Sequence, residues 1–395
     1  MATVVIKAGH VQPVWAGHPW VFAQAVERVE GGAVAGDDVE VKDPRGNSLG
    51  RGLYSPGSAI PVRLYTRDKR TAIDGALLGE RVRRAVERRH VFGLPSADTS
   101  AFRLVHAEGD DLPGLIVDRL GDALSIQIGT VGVKLREAAV LAALERLGAR
   151  AIVDRTPERT AKAEGFEPRS GVIAGDRALE AFEFTERGLK FRIPLELGQK
   201  TGFYLDQRTL RARIEALARG RRVLDTFSYV GAIALSAARG GATLVEAVDN
   251  SALASEVGAE CAALNGLSSQ IHFERGDAHE ALAHAGRQGG FDLVVCDPPK
   301  LAPSRSARGR ALDAMRRLAA DGARATKPGG LFVLCSCSAA IGMSELTRSL
   351  ALGARDVGAR ATVLERHTQG ADHPVAAAFP EGLYLSCLIA SIDVA

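Results

Sequence analysis

The chain has 395 residues, 46% hydrophobic and 25% charged, with a formal net charge of +3. This profile belongs to a globular protein with ample core, and it excludes a disordered or low-complexity chain. With so small a net charge, any surface that binds nucleic acid has to be local.

Residues 1–72 read as short strands broken by turns. Val4–Ile6, Asp38–Lys42 and Ser58–Tyr65 are β-rich, and Gly31-Gly32, Asp43-Pro44-Arg45-Gly46 and Ser55-Pro56-Gly57 are turn signals. The expectation is a small β-barrel. Residues 73–92 switch to helical spacing, with Leu77, Leu78, Val82 and Val86 on one face and Arg81, Arg83, Arg84, Arg88 and Arg89 around the rest. They open a central α+β domain over 73–190, with strands at Ala123–Ile128 and Ala151–Asp154 and a helix at Val133–Leu147 between them. In the remaining domain, 191–395, strands at Arg222–Thr226, Thr243–Val248, Gln270–Glu274, Phe291–Cys296, Leu331–Cys335, Ala361–Glu365 and Leu383–Ile389 alternate with helices such as Ala232–Arg239 and Leu253–Asn265. That alternation predicts an α/β, doubly wound, Rossmann-like parallel sheet. No apolar run approaches the ~20 residues needed to span a bilayer, and Met1–His10 has no signal-peptide pattern. The expected location is cytoplasmic, with free thiols.

Ligands of such sheets bind outside the carboxyl ends of the strands, where the strand order reverses. The first strand of the sheet runs into Asp225-Thr226-Phe227-Ser228-Tyr229-Val230-Gly231 with neither a G-x-G-x-x-G run nor a phosphate loop. Gly231 lets one small cofactor approach the backbone. Asp249, at the next strand end, can accept both hydroxyls of a ribose, and Asp277 can reach an adenine amino group. These acids without phosphate-cradling glycines fit an adenosine lacking pyrophosphate, of which S-adenosylmethionine is the common one. The competing reading makes Asp249 and Asp277 ordinary strand-end or helix-capping residues. Asp297 in Cys296-Asp297-Pro298-Pro299-Lys300 and Cys337 in Ser336-Cys337-Ser338 end two further strands, so an acid and a soft nucleophile are expected at one cleft. The five cysteines (Cys261, Cys296, Cys335, Cys337, Cys387) lack zinc-ligand spacing, and no metal is expected.

Strings along almost the whole chain resemble those of the class I methyltransferases of large-subunit ribosomal RNA that form 5-methylcytosine and carry an N-terminal PUA domain. They are Gly17-His18-Pro19-Trp20-Val21-Phe22, Gly50-Arg51-Gly52-Leu53-Tyr54-Ser55-Pro56, Arg103-Leu104-Val105-His106 with Leu112-Pro113-Gly114-Leu115-Ile116-Val117-Asp118, Gln199-Lys200-Thr201-Gly202-Phe203-Tyr204-Leu205-Asp206-Gln207-Arg208, Asp372-His373-Pro374, and Phe379-Pro380-Glu381-Gly382-Leu383-Tyr384-Leu385. The chain departs from the family pattern at Val230, Ala232, Ala339 and Ser386, where Thr, Gly, Gly and Lys are common.

The resemblance implies S-adenosylmethionine as cofactor, held by Phe203, Asp206, Arg208, Asp225, Phe227, Gly231, Asp249, Asn250, Ser251, Asp277, Asp297 and Pro298. It implies Cys337 as the nucleophile that adds to C6 of a cytosine, since a thiolate performs such catalysis. Asp297 would hold the base through N3 and O2. The rival thiol is Cys335, two residues earlier on the same face of the strand, and Cys296 reads as core. The implied partner is large-subunit rRNA, without membrane or metal, and a homodimer is left open. Lys300, Arg305, Arg308 and Arg310, with Arg316 and Arg317 beyond, form the expected RNA track, and the helix at Arg81–Arg89 is a second candidate. His18, Trp20 and Phe22 stack on RNA or fill the barrel core. Two other functions fit parts of the pattern: a guanine-N7 methyltransferase of rRNA, which needs no thiol, and a non-catalytic RNA-binding assembly factor, which needs no cofactor.

Overall fold

Alternating apolar residues near the start of the chain build a six-stranded sheet: β1 (Thr3–Ile6), β2 (Trp20–Val21), β3 (Val26–Glu30), β4 (Asp38–Lys42), β5 (Ser48–Tyr54) and β6 (Val62–Thr66), in the order β2-β6-β5-β4-β1-β3. A short helix, α1 (Val11–Trp15), precedes β2. Val4, Ile6, Val21, Val39, Val41, Val62 and Leu64 are buried together inside. Strand β5 presses so closely on β6 that a Cβ at Gly52 would stand 2.4 Å from the Arg63 carbonyl oxygen, which accounts for the Gly-Arg-Gly string. In this computed structural model the described residues are 1–197, 202–301, 308–338 and 340–395.

The chain divides into two units, each assembled from three segments. The first contains Met1–Thr185, Pro194–Leu205 and Ala371–Gly382, and the second Glu186–Ile193, Asp206–Gly370 and Leu383–Ala395. In the first unit α2 (Gly75–Val91) is capped by Asp74, whose carboxylate accepts from Leu77 N at 3.0 Å. A five-stranded sheet follows, in the order β11-β10-β9-β8-β7, from β7 (Ala101–His106), β8 (Leu115–Leu120), β9 (Ala123–Ile128), β10 (Ala151–Asp154) and β11 (Gly171–Gly175). The single helix expected over 133–147 is two, α3 (Val131–Lys134) and α4 (Glu137–Glu145), followed by α5 (Glu158–Glu164). The break falls at Arg136, whose guanidinium turns back to the carbonyls of Ile73, Gly36 and Gly132. A hairpin, β12 (Ala181–Glu186) and β13 (Leu189–Pro194), has residues in both units.

The second unit opens with α6 (Arg208–Leu217). Its sheet contains β14 (Arg222–Thr226), β15 (Leu244–Asp249), β16 (Ile271–Arg275), β17 (Phe291–Cys296), β18 (Thr326–Ser336), β19 (Ala359–His367) and β20 (Ser386–Val394), in the order β16-β15-β14-β17-β18-β20-β19. Helices α7 (Ala232–Arg239), α8 (Ala252–Leu264), α9 (Ala278–Arg287), α10 (Arg308–Ala325) and α11 (Met343–Asp356) alternate with them. The strands from β16 to β18 are parallel. The central β14 and β17 are buried along most of their length, as expected for strands covered on both faces, while β16 at the edge of the sheet is largely exposed. β20 runs antiparallel between β18 and β19, because no helical crossover separates β19 from β20 and a parallel pairing would need one. The strand order reverses between β14 and β17. Thr226 pairs with Cys296, and Cys296 with Leu334, so the residues that follow β14, β17 and β18 leave the sheet at one edge.

Candidate functional site

The loop after β14 is held in an unusual conformation. Phe227 and Tyr229 have φ of +60° and +51°, and Gly231, at the start of α7, has φ +69°. Left-handed backbone at non-glycine residues costs of order 1 kcal/mol or more each and persists only where its surroundings enforce it. Here Ser228 N bonds to Val248 O at 3.1 Å, Gly231 N to Ser228 O at 2.8 Å, and Tyr229 N to Asp249 Oδ2 at 2.8 Å. Asp249 Oδ1 accepts from Ser251 N at 2.9 Å, and the Ser251 hydroxyl caps α8. Asp249 therefore ties two strand ends together with its own carboxylate. Gly231 is needed twice, for its φ and because a Cβ would stand 2.5 Å from the Phe273 ring.

Behind this loop lies Asp225, 1% exposed. Its Oδ2 accepts from Ala234 N at 3.1 Å, while Oδ1 has no hydrogen-bond partner among the described residues. Burial, and then the nearby charge of Asp297, push this carboxyl well above the usual carboxylate range. Thr226 is buried and donates to Val295 O at 2.8 Å and to Cys296 Sγ at 3.3 Å, locking β14 to β17. Asp297 is half-buried at the end of β17, and Pro298 behind it is buried. Gln207, in the turn before α6, donates its Nε2 to Asp297 Oδ2 at 2.6 Å.

Among the five thiols, four are buried and Cys337 is half-buried. Cys335 pairs in register with Cys387, and their hydrogen bond, with burial, raises its thiol well above the ordinary range. Burial pushes Cys296 up to about 12 and Cys261 to about 11. These thiols stay protonated and enclosed, which leaves Cys337 as the accessible one. The serines beside it shape the turn: Ser336 Oγ donates to Ile341 O at 3.2 Å and Ser338 Oγ accepts from Ala340 N at 3.3 Å. Ser386, where the family commonly has lysine, is buried opposite Ser336 on β20.

Other anticipated residues stand elsewhere. Asp277 is exposed and caps α9, with Oδ1 accepting from His279 N and Glu280 N, so the helix-capping reading describes its present contacts. Asn250 is exposed beside Asp249, and Phe227 is packed against the sheet core. Arg208 lies 3.4 Å from the Glu186 carboxylate, which Arg211 also holds at 2.6 and 2.7 Å. Phe203 belongs to the first unit, buried edge-on to Phe184 with ring centroids 5.0 Å apart. Asp206 is buried and accepts from the Tyr384 hydroxyl at 2.7 Å.

Within the basic track, Lys300 and Arg310 are exposed, Arg308 pairs with Glu345 at 2.7 Å, and Arg316 makes two bonds to Asp356. Arg305 lies outside the described residues. The second track is corrected. Arg81 and Arg89 are buried: Arg81 donates to the carbonyls of Asp111 and Tyr65, and Arg89 forms a fork with Asp110 at 2.6 and 2.7 Å. Arg88 also reaches Asp110, and Arg83 is paired with Glu80 and Glu87. These side chains hold the first unit together and present no continuous basic face. Trp20 and Phe22 are half-buried rather than part of the barrel core. They cluster with His18 and Phe379, the Trp20 and Phe379 centroids 4.6 Å apart, and Trp20 Nε1 donates to Glu108 at 2.7 Å.

The second unit thus brings together at one end of its sheet a left-handed loop, the acids Asp225 and Asp249, and a buried Asp225 oxygen with no hydrogen-bond partner among the described residues, without a phosphate-cradling glycine run. That donor set fits S-adenosylmethionine, for which Asp225, the 227–231 loop and Asp249 would form the bed. No group of His, Cys, Asp or Glu suited to a metal occurs among the described residues, and none of their helices is long and apolar enough to cross a membrane.

Family comparison agrees with this chemistry. Residues 4–67 match the PUA-like domain, and residues 143–378 match the S-adenosylmethionine-dependent methyltransferases. Proteins named ribosomal RNA large subunit methyltransferase I are similar along nearly their full length. The one from Erwinia tasmaniensis is 35% identical, covering 97% of each chain; the one from Klebsiella pneumoniae strain 342 is 36% identical, covering 97% of this chain and 96% of that one. Among solved structures, a methyltransferase complexed with SAH has a TM-score of 0.87 at 20% identity, covering 99% of this chain and 100% of that one. A sam-dependent methyltransferase from Streptococcus mutans has a TM-score of 0.85 at 19% identity with the same coverage. With a matching family model over more than half its length and full-length relatives at this identity, the chain belongs to the S-adenosylmethionine-dependent methyltransferase family and carries a PUA-like domain at its N-terminal end.

Proposed function

We propose that this enzyme methylates C5 of a cytosine in large-subunit ribosomal RNA through a covalent adduct between Cys337 and C6 of the base. The names of its full-length relatives support the RNA class. The observation that carries the base and the mechanism is Cys337 itself: the one thiol that is not buried, just past the carboxyl end of β18, whose neighbour β17 leads directly into Asp297. S-adenosylmethionine supplies an electrophilic methyl group when bound. C5 of cytosine is a poor nucleophile, and addition of the Cys337 thiolate to C6 turns the C5–C6 bond into an enamine whose C5 can take that methyl. As the sulfur adds, N3 takes up the proton that the Cys337 thiol gives up, and the Asp297 carboxylate, placed at the N3 and O2 edge, stabilises it by accepting from N3–H; N3 returns that proton when the thiolate is expelled. After methyl transfer the C5 proton leaves to a base, the C5–C6 double bond re-forms, and the C6–S bond breaks to free Cys337.

In this reading residues 1–72 are an RNA-binding module, 73–190 a central domain and 191–395 the catalytic domain, with the cofactor held by the strand-end residues named above. The target base has to leave its stack, at a cost of a few kcal/mol. Contacts from Lys300, Arg305, Arg308 and Arg310 to the RNA backbone would offset part of that cost.

The test is nucleoside mass spectrometry of unmodified large-subunit rRNA after incubation with enzyme and S-adenosylmethionine. New 5-methylcytidine is expected from the native enzyme and none from Cys337→Ala, whose cofactor affinity stays within about twofold. Full activity in Cys337→Ala, or 7-methylguanosine as the product, would overturn the assignment.

A further inference from the structure

Gln207 carries an inference that deepens the proposed reaction and rests on it. The residue is 4% exposed, in the turn Leu205–Gln207 that leads into α6. Its Nε2 donates to Asp297 Oδ2 at 2.6 Å, while its Oε1 is buried with no hydrogen-bond partner among the described residues. These two facts constrain each other. An ionised carboxylate only accepts, so the amide nitrogen has to face Asp297 and the carbonyl oxygen has to face away from it. Buried amide oxygens are nearly always satisfied, and one left over beside a reactive acid calls for an N–H from something that binds there.

We propose that Gln207 is the positioning residue for Asp297 and that its Oε1 accepts an N–H from a bound reactant. Cytosine presents an amino group at C4 where uracil presents an oxygen, so an acceptor there discriminates the two bases. The α-ammonium of S-adenosylmethionine offers the same donor chemistry. The donated N–H fixes the rotamer of Asp297 and favours its ionised form, since a hydrogen bond to a carboxylate stabilises the charge. A site built to satisfy one hydrogen-bonding edge rejects the analogue that lacks it, because the buried group is then left unpaired.

The experiment compares native enzyme, Gln207→Leu and Gln207→Glu. In Gln207→Leu the acid limb of the kcat/KM pH profile moves up by about one pH unit. Its kcat falls by roughly tenfold or more, while KM for RNA changes little. Gln207→Glu inverts the trend: protonation at the acid end restores a donor to Asp297, so its activity relative to native rises as pH falls. Calorimetric titration with S-adenosylmethionine locates the second contact. An unchanged Kd in Gln207→Leu together with new activity on a uracil-substituted target places Oε1 on the base. A Kd weakened about tenfold or more places it on the cofactor ammonium. The acid limb is read on whichever methylated nucleoside the native enzyme forms, so a product other than 5-methylcytidine removes the proposed reaction without removing the coupling of Gln207 to Asp297. An acid limb, Kd and base preference all equal to native in Gln207→Leu would overturn the proposal.

Discussion

Asp110 in the first unit and Asp225 in the second are both deeply buried aspartates, and they are treated in opposite ways. Asp110 is closed on every side. Its Oδ1 takes Arg88 at 2.5 Å and Arg89 at 2.6 Å, and its Oδ2 takes Arg89 at 2.7 Å and His106 N at 2.7 Å. Arg89 spends its other donors on the carbonyls of Arg103 and Asp372. Asp225 receives one backbone N–H and has an oxygen without a hydrogen-bond partner among the described residues, with the charges of Asp297 and Asp249 nearby. A fully satisfied buried charge is a structural fastening. A half-satisfied one among other acids is where a fold keeps capacity for a ligand, and perturbed acids gather at such sites.

Two substitutions sharpen the contrast. Arg89→Ala strips the fork from Asp110 and leaves a buried carboxylate served by the partly exposed Arg88. The expected loss is about 3–5 kcal/mol of unfolding free energy, read by denaturant titration; a loss under about 1 kcal/mol would mean that the network is not a fastening. Asp225→Asn should act in the other direction and by less. The folded-state pKa of Asp225 is raised, so its contribution to stability is fully present below the ordinary aspartate value of about 3.8 and is lost as pH rises through the raised value. The native and Asn proteins should therefore melt alike near pH 4, and the Asn protein should melt higher by pH 8. A gap that does not change with pH would contradict the reading of Asp225.

The second unit was legible because its signals are local. β14 and β17 have the bounds read from their apolar runs, and Asp297 and Cys337 fall at the strand ends that the polar break-off points indicated. β18 begins five residues earlier than expected, at Thr326 rather than Leu331. The added segment contains Gly329-Gly330, and across it the pairing with β17 shifts register. Leu383–Ile389 was displaced the other way, because the chain after the turn at Pro380–Gly382 joins the sheet only at Ser386. Gln207 was missed although it stands in the most specific string, since its partner is 90 positions away and nothing in the string says which polar side chain turns inward. For α2 the signal was present and misread. Leu78, Arg81, Val82, Ala85 and Arg89 recur at helical spacing on one buried face, and an arginine in such a stripe is more readily a core ion-pair member than a surface charge. The late strings Asp372-His373-Pro374 and Phe379-Pro380-Glu381 gain meaning only in three dimensions. Asp372 accepts from Arg103 N at 2.9 Å, and Glu381 meets His18 at 3.1 Å, so segments at opposite ends of the chain complete the first unit.

The most direct test of the central claim is to trap the adduct. An rRNA fragment carrying 5-fluorocytosine at the target, incubated with enzyme and S-adenosylmethionine, cannot release the C5 substituent as a proton and should leave the protein joined to the base. Peptide mass spectrometry is expected to place the linkage on Cys337. A linkage on Cys335, or methyl transfer to the RNA with no covalent complex at any cysteine, would contradict the account.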